Sequence, residues 1–329
     1  MGAHIMEYVN FGSAGVKVSR LALGLGFRGQ ADEAEGQRVI ERAIDLGINL
    51  IDCANTYGPG DDRTHIGRSE VVLGKALKGK RDDVVITSKV FSRIGTGPND
   101  QGLSRYHIMR EVERSLNRLD TDHIDVYLVH NFDESTPIEE TARALDDLVH
   151  QGKVRYIGCC NHSAWQACKA LWIQHTLNLA PYMCMQNPYN LLHRALEREI
   201  FPFVRSEGLG VMVYSPLAVG LLSGFYKPDA PPPEGSLWAK RRMDQYETMM
   251  AGAEGKVLTT LFDIADELDK TPGQVALSWV LSHPEVTVAI TGGDTIAHLE
   301  DNIGGVGWIL DAALRDKLDA VSVNLESGR

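Results

Sequence analysis

The sequence predicts an α/β protein of the (β/α)8 TIM-barrel class, preceded by an N-terminal β-hairpin. Three observations carry this. Short apolar runs alternate with amphipathic runs eight times along the chain. The apolar runs are continuous rather than alternating, as expected of strands that helices bury on both faces. No change of composition marks a second domain, whereas a dinucleotide-binding Rossmann unit would end after about six strands.

The predicted strands are LALGL (21–25), INLIDCA (48–54), VVITSKV (84–90), IDVYLVH (124–130), VRYIGCC (154–160), YMCMQN (182–187), GVMVYSP (210–216) and VTVAIT (286–291). Helical patterns cover 33–46, 69–78, 103–119, 137–151, 163–177, 194–207 and 254–283, with a last pair over 295–303 and 311–322. Three helix starts fit a capping box: Thr136-Pro-Ile-Glu139, Ser163-Ala-Trp-Gln166 and Thr271-Pro-Gly-Gln274. EYVNFGSAGVKVS, ahead of the first strand, reads as a hairpin that could cover the barrel floor. The stretch 217–252, with PDAPPPEGS in it, reads as an irregular loop. It follows the seventh strand and so falls on the active face. Residues 6–329 are expected to form one barrel domain. MGAHI (1–5) has the look of a cloning scar.

Composition narrows the function. Hydrophobic residues make up 43% of 329, and 33 basic against 44 acidic residues give a net charge of −11. With no basic block, nucleic acid is not an expected partner. Five cysteines without a C-x-x-C pair suit a reducing cytoplasm rather than a disulfide framework or a zinc cage. No metal site is expected. No apolar run approaches ~18 residues, so no membrane span is expected.

In barrels of this class the reactive groups lie where strands end. Strand two ends in Asp52, with Tyr57 following in CANTYG. Strand three ends in Lys89 and strand four in His130. Strands five to seven end in Asn161, Gln186 and Tyr214-Ser215-Pro216. The first four make chemical sense together. A carbonyl that accepts hydride gains negative charge on oxygen and needs a proton. A free tyrosine, of pKa ~10, is a poor acid–base group at neutral pH. The Lys89 ammonium would favour the phenolate of Tyr57 and lower that pKa. Asp52 would hold Lys89 charged, and His130 would donate a hydrogen bond to the carbonyl oxygen. Each residue alone has a structural reading, as helix cap, packing tyrosine or satisfied histidine. Lys89, ending an apolar strand, is the exception, because buried lysines are rare unless paired.

GLGFRG (24–29) also matches the glycine fingerprint of a Rossmann unit. Its glycines, however, do not run directly into a helix, and Asp52 lies well beyond the ~20-residue spacing of a ribose-binding acid. In the barrel reading this stretch ends strand one at the active face. There Gly26 would let backbone approach a bound cofactor closely.

The sequence resembles the aldo-keto reductase family, in its branch of bacterial aldehyde and sugar reductases and potassium-channel β subunits. The resembling stretches are INLIDCANTYG, GRSEVVLGKAL, VVITSKV, RSLNRLDTDHIDVYLVH, GKVRYIGCCN, MQNPYNLL, VMVYSPLAVGLLSG and ITGGDTIAHLEDNI, spread from Tyr8 to Leu318. The resemblance implies a nicotinamide-dependent oxidoreductase whose catalytic residues are Asp52, Tyr57, Lys89 and His130, with Tyr57 the proton donor in reduction. It implies that Asn161 and Gln186 bind the carboxamide and that Tyr214 stacks on the ring. Ser215, Leu217 and Gly220 would follow the pyrophosphate, and Gly292, Asp294, His298 and Asn302 would lie near the adenosine end. Phe27, Phe91, Asn131, Phe132 and Trp238 are candidate substrate contacts, for a sugar, a small aldehyde or a ring ketone.

Some positions depart from the family pattern. Cys160 stands where Ser or Thr is usual, and His298 where Gln is frequent. The usual lysine of the loop after strand seven is shifted to Lys227. No cation occupies Asp294 or Thr295, where the family's partner of the NADP 2′-phosphate lies, although Lys240, Arg241 or Arg242 could reach a phosphate. The cofactor is therefore NADP(H) or NAD(H), with Asp294-Thr295 favouring NAD(H). The chain ends soon after the last helix, so the family's extended C-terminal substrate loop is not expected. Two further readings stay open: oxidation of a sugar or alcohol with NAD, and a cofactor-sensing regulatory subunit of slow turnover. Oligomeric state and physiological substrate are not readable from these residues.

Overall fold

The computed structural model describes residues 6–26, 30–58, 65–241, 243–323 and 325. Residues 1–5, Phe27 and Arg242 lie outside the described residues, as does the side chain of Arg241.

The chain opens with an antiparallel hairpin, β1 (Tyr8–Asn10) and β2 (Lys17–Ser19). Eight parallel strands follow: β3 (Leu21–Gly24), β4 (Leu50–Asp52), β5 (Val85–Val90), β6 (Ile124–Val129), β7 (Val154–Cys160), β8 (Tyr182–Pro188), β9 (Gly210–Tyr214) and β10 (Val288–Gly292). They pair in sequence order, and β10 closes on β3 to complete the barrel. All eight predicted strands are present. Apart from Arg155 and Tyr156 on β7, they are buried almost throughout, which explains why none showed an alternating pattern.

The helices α1 (Glu33–Asp45), α2 (Arg68–Ala76), α3 (Arg105–Leu119), α4 (Ile138–His150), α5 (Ala164–Thr176) and α6 (Ile200–Glu207) separate the first seven barrel strands. They bury their apolar faces against the outside of the barrel in one extended cluster. A smaller cluster fills the barrel interior, from Phe11 and Val18 of the hairpin through Leu50, Val126 and Met212 to Cys160. The hairpin does cover the floor. At Gly12, φ is +57° and an added Cβ would stand 2.5 Å from both Gly210 N and Met183 O, so only glycine lets the turn press onto β8 and β9.

Three expectations need correction. The stretch 217–252 is not simply irregular: it holds a 3-10 segment (Ala218–Ser223), α7 (Leu237–Arg241) and α8 (Met243–Ala251). The pattern over 254–283 is two helices, α9 (Ala253–Glu267) and α10 (Pro272–Leu281), because Thr271 caps a new start by accepting from Gln274 N at 3.2 Å. The capping box at Thr136 does not form. Its hydroxyl donates to Asp133 Oδ2 at 2.8 Å instead, and α4 starts without a side-chain cap. At Ser163 the Gln166 half of the box is made, with Gln166 Oε1 accepting from Ser163 N at 3.0 Å. The chain closes with α11 (Ile296–Ile303) and α12 (Ala312–Ser322). No helix among the described residues is long and apolar enough to cross a membrane.

Candidate active site

The parallel strands end at one rim, and β4, β5 and β6 bring Asp52, Lys89 and His130 there side by side. Lys89 is fully buried. Its three ammonium hydrogens are all committed, to Asp52 Oδ1 (2.7 Å), Asp52 Oδ2 (2.7 Å) and the Cys53 carbonyl (2.9 Å). Burial alone would lower the Lys89 pKa, but Asp52 and its neighbours hold it above the usual lysine range, so the group stays charged. Tyr57 lies on the loop after β4. Ser69 anchors that loop through N–H to Tyr57 O (3.1 Å) and hydroxyl to Ala54 O (3.2 Å). The Lys89 ammonium sits 4.7 Å from the centre of the Tyr57 ring. Tyr57 Oη is 3.4 Å from His130 Nε2, and the rings meet edge-on.

The charge states differ from the sequence expectation in one respect. Burial pushes the Tyr57 pKa up to about 12, and the opposing pull of Lys89 only partly offsets it. Desolvation of a phenolate outweighs one ammonium whose charge Asp52 already shares. Tyr57 is therefore a protonated phenol at neutral pH, an acid rather than a base. Burial, reinforced by Lys89, holds His130 down to about 3, so its ring is neutral. His130 Nδ1 is buried without a hydrogen-bond partner.

The next strands build a polar floor and a cradle. Gln186 is buried and donates from Nε2 to Asp52 Oδ1 at 2.8 Å, so it faces Asp52 across the barrel. Asn161, at φ +57°, donates to the His130 carbonyl (2.9 Å) and accepts from Tyr214 Oη (2.9 Å). After β9 the backbone turns left-handed at Ser215, Ala218, Val219 and Gly220. Positive φ at a β-branched residue such as Val219 is costly, and such strain concentrates where a loop must meet a ligand. Alternating left- and right-handed backbone also forms anion-holding concavities. Asn190 Nδ2 donates to Ser215 O at 2.9 Å and braces the entry to this turn. Gly26 and Gly292 face open space on the same rim. Asn302 donates to the Gly292 carbonyl (3.2 Å), Thr295 caps α11 by accepting from His298 N (3.2 Å), and His298 is exposed in the helix's first turn. Gln30 Nε2 donates to the Asp294 carbonyl at 2.7 Å, joining the loop after β3 to the loop after β10.

The substrate candidates divide. Phe91 and Asn131 are half-buried, at the ends of β5 and β6. Phe132 packs edge-on against His162 and Trp165, on the α5 side. Trp238 is not an open pocket wall. It is fully buried and donates from Nε1 to the Val219 carbonyl at 3.2 Å, which braces the strained turn from behind. Phe27 falls outside the described residues. Sequence reading missed Thr87, Asn190 and Gln30. Thr87 was within reach, since it lies two residues before Lys89 on the same strand and so on the same face. Among the described residues, no three His, Cys, Asp or Glu side chains are placed to hold a metal ion.

The aldo/keto reductase family model matches residues 20–322. The chain belongs to the aldo/keto reductase family. An uncharacterized oxidoreductase of Bacillus subtilis, YrpG, is 38% identical over 325 residues, covering 96% of both chains. A probable voltage-gated potassium channel subunit beta of Arabidopsis thaliana is 35% identical over 324 residues, again covering 96% of each. A putative subunit of the same description from Schizosaccharomyces pombe is 35% identical over 328 residues, covering 94% of this chain and 91% of its own. The resemblance read from the sequence motifs is thus correct, branch included. Membership makes the protein an oxidoreductase of a family that generally uses NAD(P)H.

Proposed function

We propose that this chain reduces an aldehyde or ketone, sugars included, to the alcohol by hydride transfer, with Tyr57 as proton donor. The observation that carries the reading is the buried Asp52–Lys89 pair lying under the ring of a protonated Tyr57 that adjoins a neutral His130.

A nicotinamide cofactor suits the residues on the rim. The left-handed turn at 215–220 can cradle a pyrophosphate, and the open backbone at Gly26 and Gly292 leaves room for close approach. Asn161 and Gln186 would take the carboxamide, Tyr214 the ring, and Gly292, His298 and Asn302 the adenosine end. When bound, the cofactor supplies the hydride. His130 donates a hydrogen bond to the substrate's carbonyl oxygen. The Tyr57 hydroxyl passes its proton to that oxygen as negative charge develops there. Lys89 lowers the energy of the resulting phenolate through the ring's near face, and Asp52 keeps Lys89 charged and in place. Solvent then returns the proton to Tyr57.

The same residues can run the reaction in reverse. Oxidation needs the phenolate, so with Tyr57 at about 12 its rate should climb with pH while reduction stays level near neutrality. Asp294 favours NAD(H), because a carboxylate repels a 2′-phosphate and accepts from a free 2′-hydroxyl. The names of the channel-subunit relatives support a third reading, a slow enzyme that senses cofactor. Turnover of an aldehyde, ketone and sugar panel with NADH and with NADPH tests the proposal. Reduction of at least one carbonyl is expected. Tight nucleotide binding with no turnover across the panel would contradict it and favour the sensor.

A further inference from the structure

One hydrogen bond beneath the proton donor, from Thr87 to Asp52, has no part in the chemistry above. Asp52 Oδ1 accepts three donors: the Thr87 hydroxyl at 2.6 Å, Lys89 Nζ at 2.7 Å and Gln186 Nε2 at 2.8 Å. Asp52 Oδ2 accepts from Lys89 Nζ, at 2.7 Å. The donors arrive from opposite sides. Thr87 is the register partner of Asp52 on the adjacent strand, whereas β4 and β8 stand across the eight-stranded barrel from each other. The Gln186 amide is turned toward Asp52 by the Cys160 thiol, which lies 3.8 Å from Gln186 Oε1. Thr87, Lys89 and Cys160 are fully buried, and Gln186 nearly so.

We propose that Thr87 is a positioning residue for the proton donor: its hydroxyl and the Gln186 amide clamp the Asp52 carboxylate so that both oxygens chelate Lys89 beneath Tyr57. The inference rests on the reading of Asp52, Tyr57, Lys89 and His130 as the reacting group. Its physical content is rotational. A carboxylate that chelates an ammonium through both oxygens loses one contact if it turns about its own axis. Hydrogen bonds to a charged oxygen are short and strong, and two of them from opposite walls remove that freedom. Lys89 has no other acid, since its third hydrogen goes to the Cys53 carbonyl. Without the clamp the ammonium would drift with the carboxylate from its place 4.7 Å from the Tyr57 ring centre. A displacement near 1 Å in such a group costs up to about a hundredfold in rate.

Thr87→Val deletes the hydroxyl at nearly constant shape, and Thr87→Ser restores it. kcat for reduction and the Kd of the reduced nucleotide are measured for both, beside Tyr57→Phe. The expected result is a kcat fall of about tenfold or more in Thr87→Val. Nucleotide Kd should stay within about twofold, and Thr87→Ser should recover most of the rate. Thr87→Ala carries the same expectation and decides the matter if the valine variant does not fold. Wild-type kcat in Thr87→Val, with Tyr57→Phe inactive, overturns the clamp while leaving the proton donor intact. Loss of rate and nucleotide binding together, with no rescue by serine, makes Thr87 a packing residue and also overturns it. Wild-type kcat in Tyr57→Phe instead overturns the underlying reading.

Discussion

Among the described residues, two tyrosine–histidine pairs meet through the phenol oxygen and a ring nitrogen; Tyr57 and His130 are half-buried, Tyr189 and His283 buried. Tyr57 and His130 meet edge-on at 5.8 Å; Tyr189 and His283 do so at 5.3 Å. Burial raises both phenols and lowers both imidazoles, His130 to about 3 and His283 to about 4. The second pair is saturated. Arg315 can only donate, so His283 Nδ1 accepts from it at 3.2 Å. Nε2 then carries the proton and donates to Tyr189 Oη (2.9 Å), whose own hydrogen goes to Glu197 Oε1 (2.6 Å). Arg194 completes the network by forking onto Glu197. The first pair is unsaturated: its internal contact is 3.4 Å, and His130 Nδ1 has no partner. The buried pair has spent its bonding capacity within the fold, whereas the half-buried pair at the barrel rim retains some.

The comparison can be broken most severely at Lys89. Lys89→Met leaves Asp52 as an uncompensated buried charge, so it should lower stability by about 3–5 kcal/mol. It should also reduce kcat about a hundredfold or more. Denaturant titration and steady-state kinetics check both; a variant with wild-type kcat would remove Lys89 from the reaction.

Acid should act on both pairs through stability. His283 is folded with a pKa of about 4 against 6.5 in a free histidine. Its neutral form stabilises the fold fully above pH 6.5, and that contribution is lost as pH falls through about 4. The loss is on the order of 3 kcal/mol. Measured from pH 7 to 4, Tm should drop less steeply in His283→Gln than in wild type. Parallel curves would place the acid sensitivity elsewhere.

Tyr189→Phe strips a donor from Glu197 and an acceptor from His283, at a cost of about 1–3 kcal/mol. Its kcat should stay within about twofold of wild type. Loss of rate at unchanged Tm would erase the distinction between the pairs. The smallest effect belongs to Asp294, in the loop after β10, where the proposed adenosine end lies. Asp294→Arg should lower KM for NADPH relative to NADH by about tenfold, near 1.4 kcal/mol, with kcat unmoved. An unchanged ratio would remove Asp294 from nucleotide choice.

What the sequence made legible follows from the range of the forces involved. Eight strands could be read because each is a run of apolar, often β-branched residues, a local signal. Asp52, Lys89 and His130 could be read because parallel strands deliver their ends to one rim. The helices α7 and α8 were hidden behind PDAPPPEGS, whose prolines suggest loop while the residues after it fold against Trp238 and Tyr246. Thr136 looked like a cap until Asp133, from the preceding turn, took its hydroxyl. The sign of the Tyr57 shift was missed because one ammonium is visible in a sequence and a desolvated phenolate is not. Gln186 reaching Asp52 across the barrel is a contact between residues far apart in the chain, which no local pattern contains.

The most direct test of the unsaturated pair is single-turnover reduction of a small aldehyde by the enzyme preloaded with reduced nicotinamide, comparing wild type with Tyr57→Phe. Nucleotide Kd and Tm should stay close to wild type, and nucleotide oxidation should slow by about a hundredfold or more. Oxidation in Tyr57→Phe at a rate near that of wild type would contradict it.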